Sequence, residues 1–280
     1  DPYALRAHAL HFWVAMDTRT FTRIAREAPF HDAGHGFDVF GLSPPVLADA
    51  VVLSAPIYQR YFRVESTGIE NVPSRGAAIL VANHGGILPV DAVMLCLDVL
   101  HKLDPPRIPR AIVDRFVPRL PLVSTLFARV GAVSGTATNV RYLLEREELV
   151  AIWPEGVSGP AKRFRDRYKL QQWSTGFAEH AIRHGAPVIP VSILGAEESW
   201  PLAGKLRAFH GFGAPYLPIP AVPLPLPAHY RLRYGTPIVS KAPPCDADDP
   251  VVVAELADDV RCILQQMLDD ARNARRGVFS

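Results

Sequence analysis

The segment Asn83-His84-Gly85-Gly86-Ile87-Leu88-Pro89-Val90-Asp91 places a histidine and an aspartate on either side of two glycines. An imidazole exchanges protons near neutral pH. A carboxylate holding one of its ring nitrogens leaves the other available as a general base. The run before it, Ala77 to Ala82, is apolar throughout, as in a strand buried on both faces. His84 then stands at a strand tip, where its ring can be exposed and where the glycines let backbone approach a ligand. Asp91 falls near the start of the next helix, about Val90 to Leu100, from which it can turn back to the ring. The same residues also fit a helix-capping aspartate beside an ordinary loop histidine.

A second strand, Leu149 to Trp153, ends in Pro154-Glu155-Gly156-Val157-Ser158-Gly159, and Lys162, Arg163, Arg165 and Arg167 follow closely. A carboxylate before a glycine-rich loop and a cluster of cations suggest an anion site; a solvated loop with a capping glutamate reads the same way. His84-Gly85-Gly86 imitates an esterase oxyanion loop, but that chemistry needs a G-x-S-x-G elbow. Around Ser158 the glycine that should close the elbow comes one place too early, at Gly159 with Pro160 in its stead, and no other serine fits. The ten histidines are scattered without an H-E-x-x-H or paired Cys/His spacing, so no metal site is expected. Walker and G-x-G-x-x-G loops are also missing.

The elements that must position these residues read as alternating strands and helices. Strands are expected at Tyr61 to Val64, Ala77 to Ala82, Arg110 to Val113, Leu149 to Trp153, Pro187 to Leu194 and around Tyr230, Leu232 and Tyr234. Helices are expected from Asn139, as cap, to Arg146, over Gln171 to His184 with Gly185 closing it, and after Pro250. This is an α/β fold: a mixed, largely parallel sheet flanked by helices, with sites at the carboxyl ends of strands. Residues 1–58 read as an amphipathic helical region (Ala4 to Arg26, then Val46 to Tyr58) and residues 59–280 as the main domain. The proline-rich, apolar stretch from His210 to His229 is left without assigned structure.

The chain has 280 residues and a formal net charge of +2, too little for a dedicated nucleic-acid binder. Cys96, Cys245 and Cys262 are far apart and odd in number, which fits a reducing compartment rather than a disulfide framework. Its 27 prolines are about twice the usual usage, and its mean hydropathy is +0.09. Asp1 to Phe30 mixes charges throughout, unlike a secretory signal. No stretch reaches the ~18 uncharged apolar residues of a spanning helix, so any membrane contact is expected to be peripheral. The chain starts without methionine, which leaves open whether a segment precedes it.

Taken together, the blocks resemble the glycerolipid acyltransferase superfamily, in particular bacterial 1-acylglycerol-3-phosphate (lysophospholipid) acyltransferases. Asn83-His84 with Asp91 resembles the first block of that family, Arg129-Val130-Gly131-Ala132-Val133 the second, Trp153-Pro154-Glu155-Gly156 the third and Val188-Ile189-Pro190-Val191 the fourth. The resemblance spans about Tyr61 to Ser240. It implies direct acyl transfer from a thioester, acyl-CoA or acyl-carrier protein, to a lysolipid hydroxyl, without cofactor or metal. His84 would be the base and Asp91 its support, and no serine nucleophile is required. The implied substrate-binding positions are Asn83, Gly85, Gly86, Glu155, Gly156, Ser158, Lys162, Arg163, Arg165 and Pro190. It further implies a peripheral enzyme on the cytoplasmic face of a membrane, held by the N-terminal helices; the apolar proline-rich loop reads equally as a second membrane contact or as an ordinary packing loop.

Two departures alter the expectation. The spacing here is His-x6-Asp, two residues longer than usual. Ser158 stands where the family commonly has Arg or Lys for the acceptor phosphate, and Ser134, Gly135 and Thr136 replace the usual second-block Arg. Either Lys162, Arg163 and Arg165 bind the phosphate, or the acceptor is another alcohol or amine. A non-catalytic lipid binder on the same fold is the reading from another class.

Overall fold

The computed structural model describes residues 28–206, 216–275 and 277–278. In chain order its elements are α1 (Pro44–Pro56), β1 (Glu65–Thr67), β2 (Ala78–Ala82), α2 (Val90–Lys102), β3 (Arg110–Val113) and α3 (Val123–Arg129). Then come β4 (Val133–Ser134), α4 (Ala137–Glu145), β5 (Leu149–Ile152), α5 (Gly176–His184), β6 (Val188–Leu194) and the short α6 (Ala196–Ser199). A hairpin of β7 (Leu202–Leu206) and β8 (Leu217–Pro220), strand β9 (Arg231–Tyr234) and the long α7 (Pro250–Ala274) complete the order.

Every residue of β2 is buried, because strands flank it and helices cover both its faces. Leu80 and Ala82 point into a core shared with α1 and α2, whereas Ile79 and Val81 point into one shared with α4, α5 and α7. The main sheet has the order β1-β9-β6-β2-β5-β3-β4. All its pairings are parallel except that of β6 with β9. The mixed, largely parallel sheet expected from the sequence is the one found. Parallel β2, β3 and β5 end on the same edge, so the segments after Ala82, Val113 and Ile152 meet there.

Several boundaries differ for local reasons. The strand expected at Tyr61 to Val64 begins at Glu65, because a π-helical turn over Ile57–Tyr61 prolongs α1 and Phe62 N donates to Ile57 O. Thr136, not Asn139, caps α4: its Oγ1 accepts the Asn139 amide at 3.2 Å. The helix expected from Gln171 starts only at Gly176, since the amides of Leu170 and Gln171 donate to the side chains of Gln265 and Glu155. The proline-rich stretch holds a strand after all, β8, paired with β7 alone and therefore free to carry prolines.

Of the N-terminal region expected over residues 1–58, helix α1 is described. Leu47, Val51, Ala55 and Tyr58 join the same core as Leu80, Met94 and Leu95, so α1 belongs to the main unit. The helix expected over Ala4 to Arg26 lies outside the described residues. No helix among the described residues is long and apolar enough to cross a membrane.

Candidate active site

Strand β2 delivers His84 to the sheet edge, and the first turn of α2 delivers Asp91. His84 Nδ1 lies 2.6 Å from Asp91 Oδ2. The same oxygen accepts the Gly85 amide at 3.0 Å, and Oδ1 accepts the Ala92 amide at 2.9 Å. A carboxylate only accepts, so the ring proton sits on Nδ1 and the lone pair on Nε2. No group among the described residues hydrogen-bonds Nε2. Burial alone would lower the imidazole pKa, but the charge and hydrogen bond of Asp91, helped by Glu155, leave it above its ordinary value.

The longer His-x6-Asp loop keeps this contact because glycine fills both critical places. Gly86 has φ +86°, a conformation that costs other residues energy. A Cβ on Gly85 would fall 2.3 Å from Glu197 Cγ. The His84 side chain is only 17% exposed, less than a strand-tip loop suggested. Trp153 packs with its ring centroid 5.9 Å away, and Gly159 closes over the His84 backbone with room for no Cβ.

Glu155 faces inward. Its Oε1 accepts the His84 amide and its Oε2 the Gln171 amide, each at 2.9 Å. Lys162 Nζ stands 3.0 Å from Glu155 Oε2 and 2.7 Å from Glu197 Oε1. Lys162 is thus a buried brace between two carboxylates, not a free cation for an acceptor. Burial opposes its charge, but Glu197 and Glu155 outweigh that and raise its pKa. Burial pushes Glu197 itself up to about 7 despite Lys162.

The other sequence candidates divide. Gly85, Gly86, Gly156 and the half-buried Ser158 stay beside His84 or Glu155. Arg163 and Arg165 are exposed; Arg163 lines a shallow cleft with Gly86, Gly159 and Trp200. Asn83 is fully buried and exchanges two hydrogen bonds with the backbone of Ile193, which extends the β2–β6 ladder. Pro190 lies within β6, opposite Val81 and against Gly235, well before the strand end. Both hold the scaffold rather than the pocket.

Sequence reasoning missed Asp114, the first residue after β3. Its carboxylate lies 3.6 Å from the place a Cβ on Gly156 would take. Burial raises its pKa, and the positive form of His84 pulls it back. The rule that sites gather at strand ends applied to β3 as well as to β2 and β5, and would have found it. Among the described residues no group of three or more potential metal ligands occurs.

A family model described as Acyltransferase matches residues 63–194, which contain His84, Asp91 and Glu155. An uncharacterized protein of Mycobacterium tuberculosis is 38% identical over 258 residues, covering 88% of this chain and 72% of that one. The chain belongs to the acyltransferase family. This acyltransferase is also 28% identical over 223 residues to a Bos taurus protein named "DGAT1/2-independent enzyme synthesizing storage lipids", covering 77% of this chain and 62% of that one. The crystal structure of the 1-acyl-sn-glycerophosphate (LPA) acyltransferase PlsC from Thermotoga maritima superposes with TM-score 0.55 at 19% identity. It covers 82% of the acyltransferase and 81% of PlsC, and the likeness is one of fold.

Proposed function

We propose that this acyltransferase moves a fatty acyl group from an acyl thioester to the hydroxyl of a lipid acceptor, with His84 as general base. The observation that carries this reading is the Asp91–His84 pair, which fixes the ring tautomer and leaves Nε2 without a hydrogen-bond partner among the described residues. The acceptor oxygen attacks the thioester carbonyl carbon while Nε2 takes its proton. The C–S bond then breaks, and the imidazolium returns the proton to the departing thiolate. Asp91 stabilises the imidazolium in between. Acyl-CoA and acyl-carrier protein both supply such a thioester. Neither a metal nor a cofactor takes part in this scheme.

For the acceptor, the charges favour an uncharged glycerolipid hydroxyl over a phosphate-bearing lysolipid. Lys162 is neutralised by Glu155 and Glu197, Ser158 carries no charge, and Asp114 puts a carboxylate beside Gly156. The storage-lipid name of the Bos taurus relative agrees with that choice. Arg163 beside Gly86 is the feature favouring the lysophospholipid reading. Thiol release and product mass spectrometry with diacylglycerol, monoacylglycerol and lysophosphatidate decide between them. Neutral acceptors are expected to be acylated with the higher kcat/KM. Preference for lysophosphatidate, lost in Arg163→Ala/Arg165→Ala, would reverse the choice. Binding of acyl-CoA without thiol release on any acceptor would mean a lipid binder. We place the enzyme peripherally, on the cytoplasmic face of a membrane.

The pH profile tests the pair itself. Only neutral His84 can accept a proton, so activity is expected to fall as pH drops through a pKa raised above histidine's ordinary value. In Asp91→Asn the supporting charge is gone and burial dominates. The acid limb of kcat/KM then moves to lower pH while the maximum falls, by less than in a variant lacking His84. A limb that stays in place would show that Asp91 does not set the ionisation of the base.

A further inference from the structure

The segment after Asp114 carries an apolar knuckle that nothing in the site requires. Leu122 is 87% exposed, Leu126 54% and Val123 39%. Helix α3 turns Ser124, Phe127 and Ala128 inward, toward a cavity shared with Phe40, Val113 and Val133. Val123 and Leu126, three residues apart on the helix, share the other side. Leu122 itself is held at φ +63°, a conformation uncommon for leucine. Exposing a contiguous apolar group at a strained turn is costly in water and marks a contact surface.

The flanking charges indicate what that surface meets. Arg115 and Arg119 are both exposed, and no carboxylate among the described residues pairs with either. Cations beside a protruding apolar tip match a bilayer with anionic headgroups, where side chains enter the acyl region and guanidinium groups stay at the phosphates. The position agrees. The segment starts at Asp114, beside Gly156 on the sheet edge that carries His84, so insertion here brings that edge against the membrane.

We infer that residues 115–126 form a membrane-docking knuckle, in which Leu122 and Leu126 insert and Arg115 and Arg119 bind anionic lipid phosphates. The inference rests on the lipid-acceptor reading above, and it adds a second anchor to the N-terminal region expected from the sequence.

Flotation with vesicles of phosphatidylcholine, with and without phosphatidylglycerol, tests it on the full chain. Leu122→Ser/Leu126→Ser is expected to weaken binding to both vesicle types, by roughly ten-fold or more for two inserted leucines. Arg115→Gln/Arg119→Gln should remove the extra binding due to phosphatidylglycerol, and with it most of the salt dependence. Thiol release on a short-chain thioester with a monomeric, water-soluble acceptor should be unchanged in the leucine variant, whose substitutions lie on the surface. Flotation needs no turnover, so an inactive protein that floats would separate failure of the enzymatic reading from failure of this one. Unchanged flotation of both variants overturns the inference. Unchanged flotation with loss of a dimer in sedimentation would assign the knuckle to a second copy instead.

Discussion

Replacing His84 by alanine is expected to slow acyl transfer by about 10²–10⁴-fold, the usual worth of a positioned general base. The protein should remain folded. The backbone amide of residue 84 still donates to Glu155, and Asp91 keeps the amides of Gly85 and Ala92. Circular dichroism checks the fold, and thiol release with a saturating acceptor checks the rate. Because the lost group acts on the acceptor's proton, the fall should appear in kcat, with little change in the KM for the thioester. A folded variant that turns over at a normal rate would remove His84 from the mechanism.

Glu155→Ala is expected to act on the structure before it acts on the chemistry. The carboxylate is fully buried and satisfies two amides and one ammonium drawn from three separate places in the chain. Alanine leaves the amides of His84 and Gln171 without an acceptor and Lys162 with Glu197 alone. Removing one partner of a buried ion pair typically costs about 3–5 kcal/mol. Because Lys162 keeps one carboxylate here, the lower part of that range is expected, read as a fall in unfolding free energy by urea titration. Glu155→Gln, which keeps an acceptor oxygen for one of the two amides, should lose less. A Glu155→Ala protein as stable as the parent would show that the loop does not depend on this brace.

Much of this site could be read from the sequence, for physical reasons. Strand β2, buried on both faces, is apolar throughout, so Ala78–Ala82 stands out, and the polar Asn83-His84 after it marks the strand end. Asp249 and Pro250 start α7 visibly, since the aspartate accepts the Val251 amide and proline needs no amide partner at that position. The fate of Lys162 was not legible. In a run of cations, sequence does not say which side chain points inward; that depends on Glu197, contributed from after β6. Asp114 was hidden because an aspartate followed by arginine looks like solvated loop. Asp98 was hidden too: it sits in the middle of α2, where Tyr58 and the 2.9 Å bond from Tyr234 give it partners from opposite ends of the chain. Such groups are visible only once the sheet has brought distant segments together.

The sheet order has a consequence for how the protein behaves when crowded. Its two outer strands are the shortest of the main sheet: β1 has three residues and β4 two. An outer strand of that length offers an incoming chain few unpaired amides and carbonyls, so it is a poor template for further pairing. The long apolar strands β2 and β6 lie inside the order, with paired neighbours on both sides. The edges of the main sheet therefore offer a neighbouring molecule little to pair with. The inner strands β2 and β6 become available for such pairing only after the strands outside them peel away, so detachment of β1 or β4 is the step that begins to expose them.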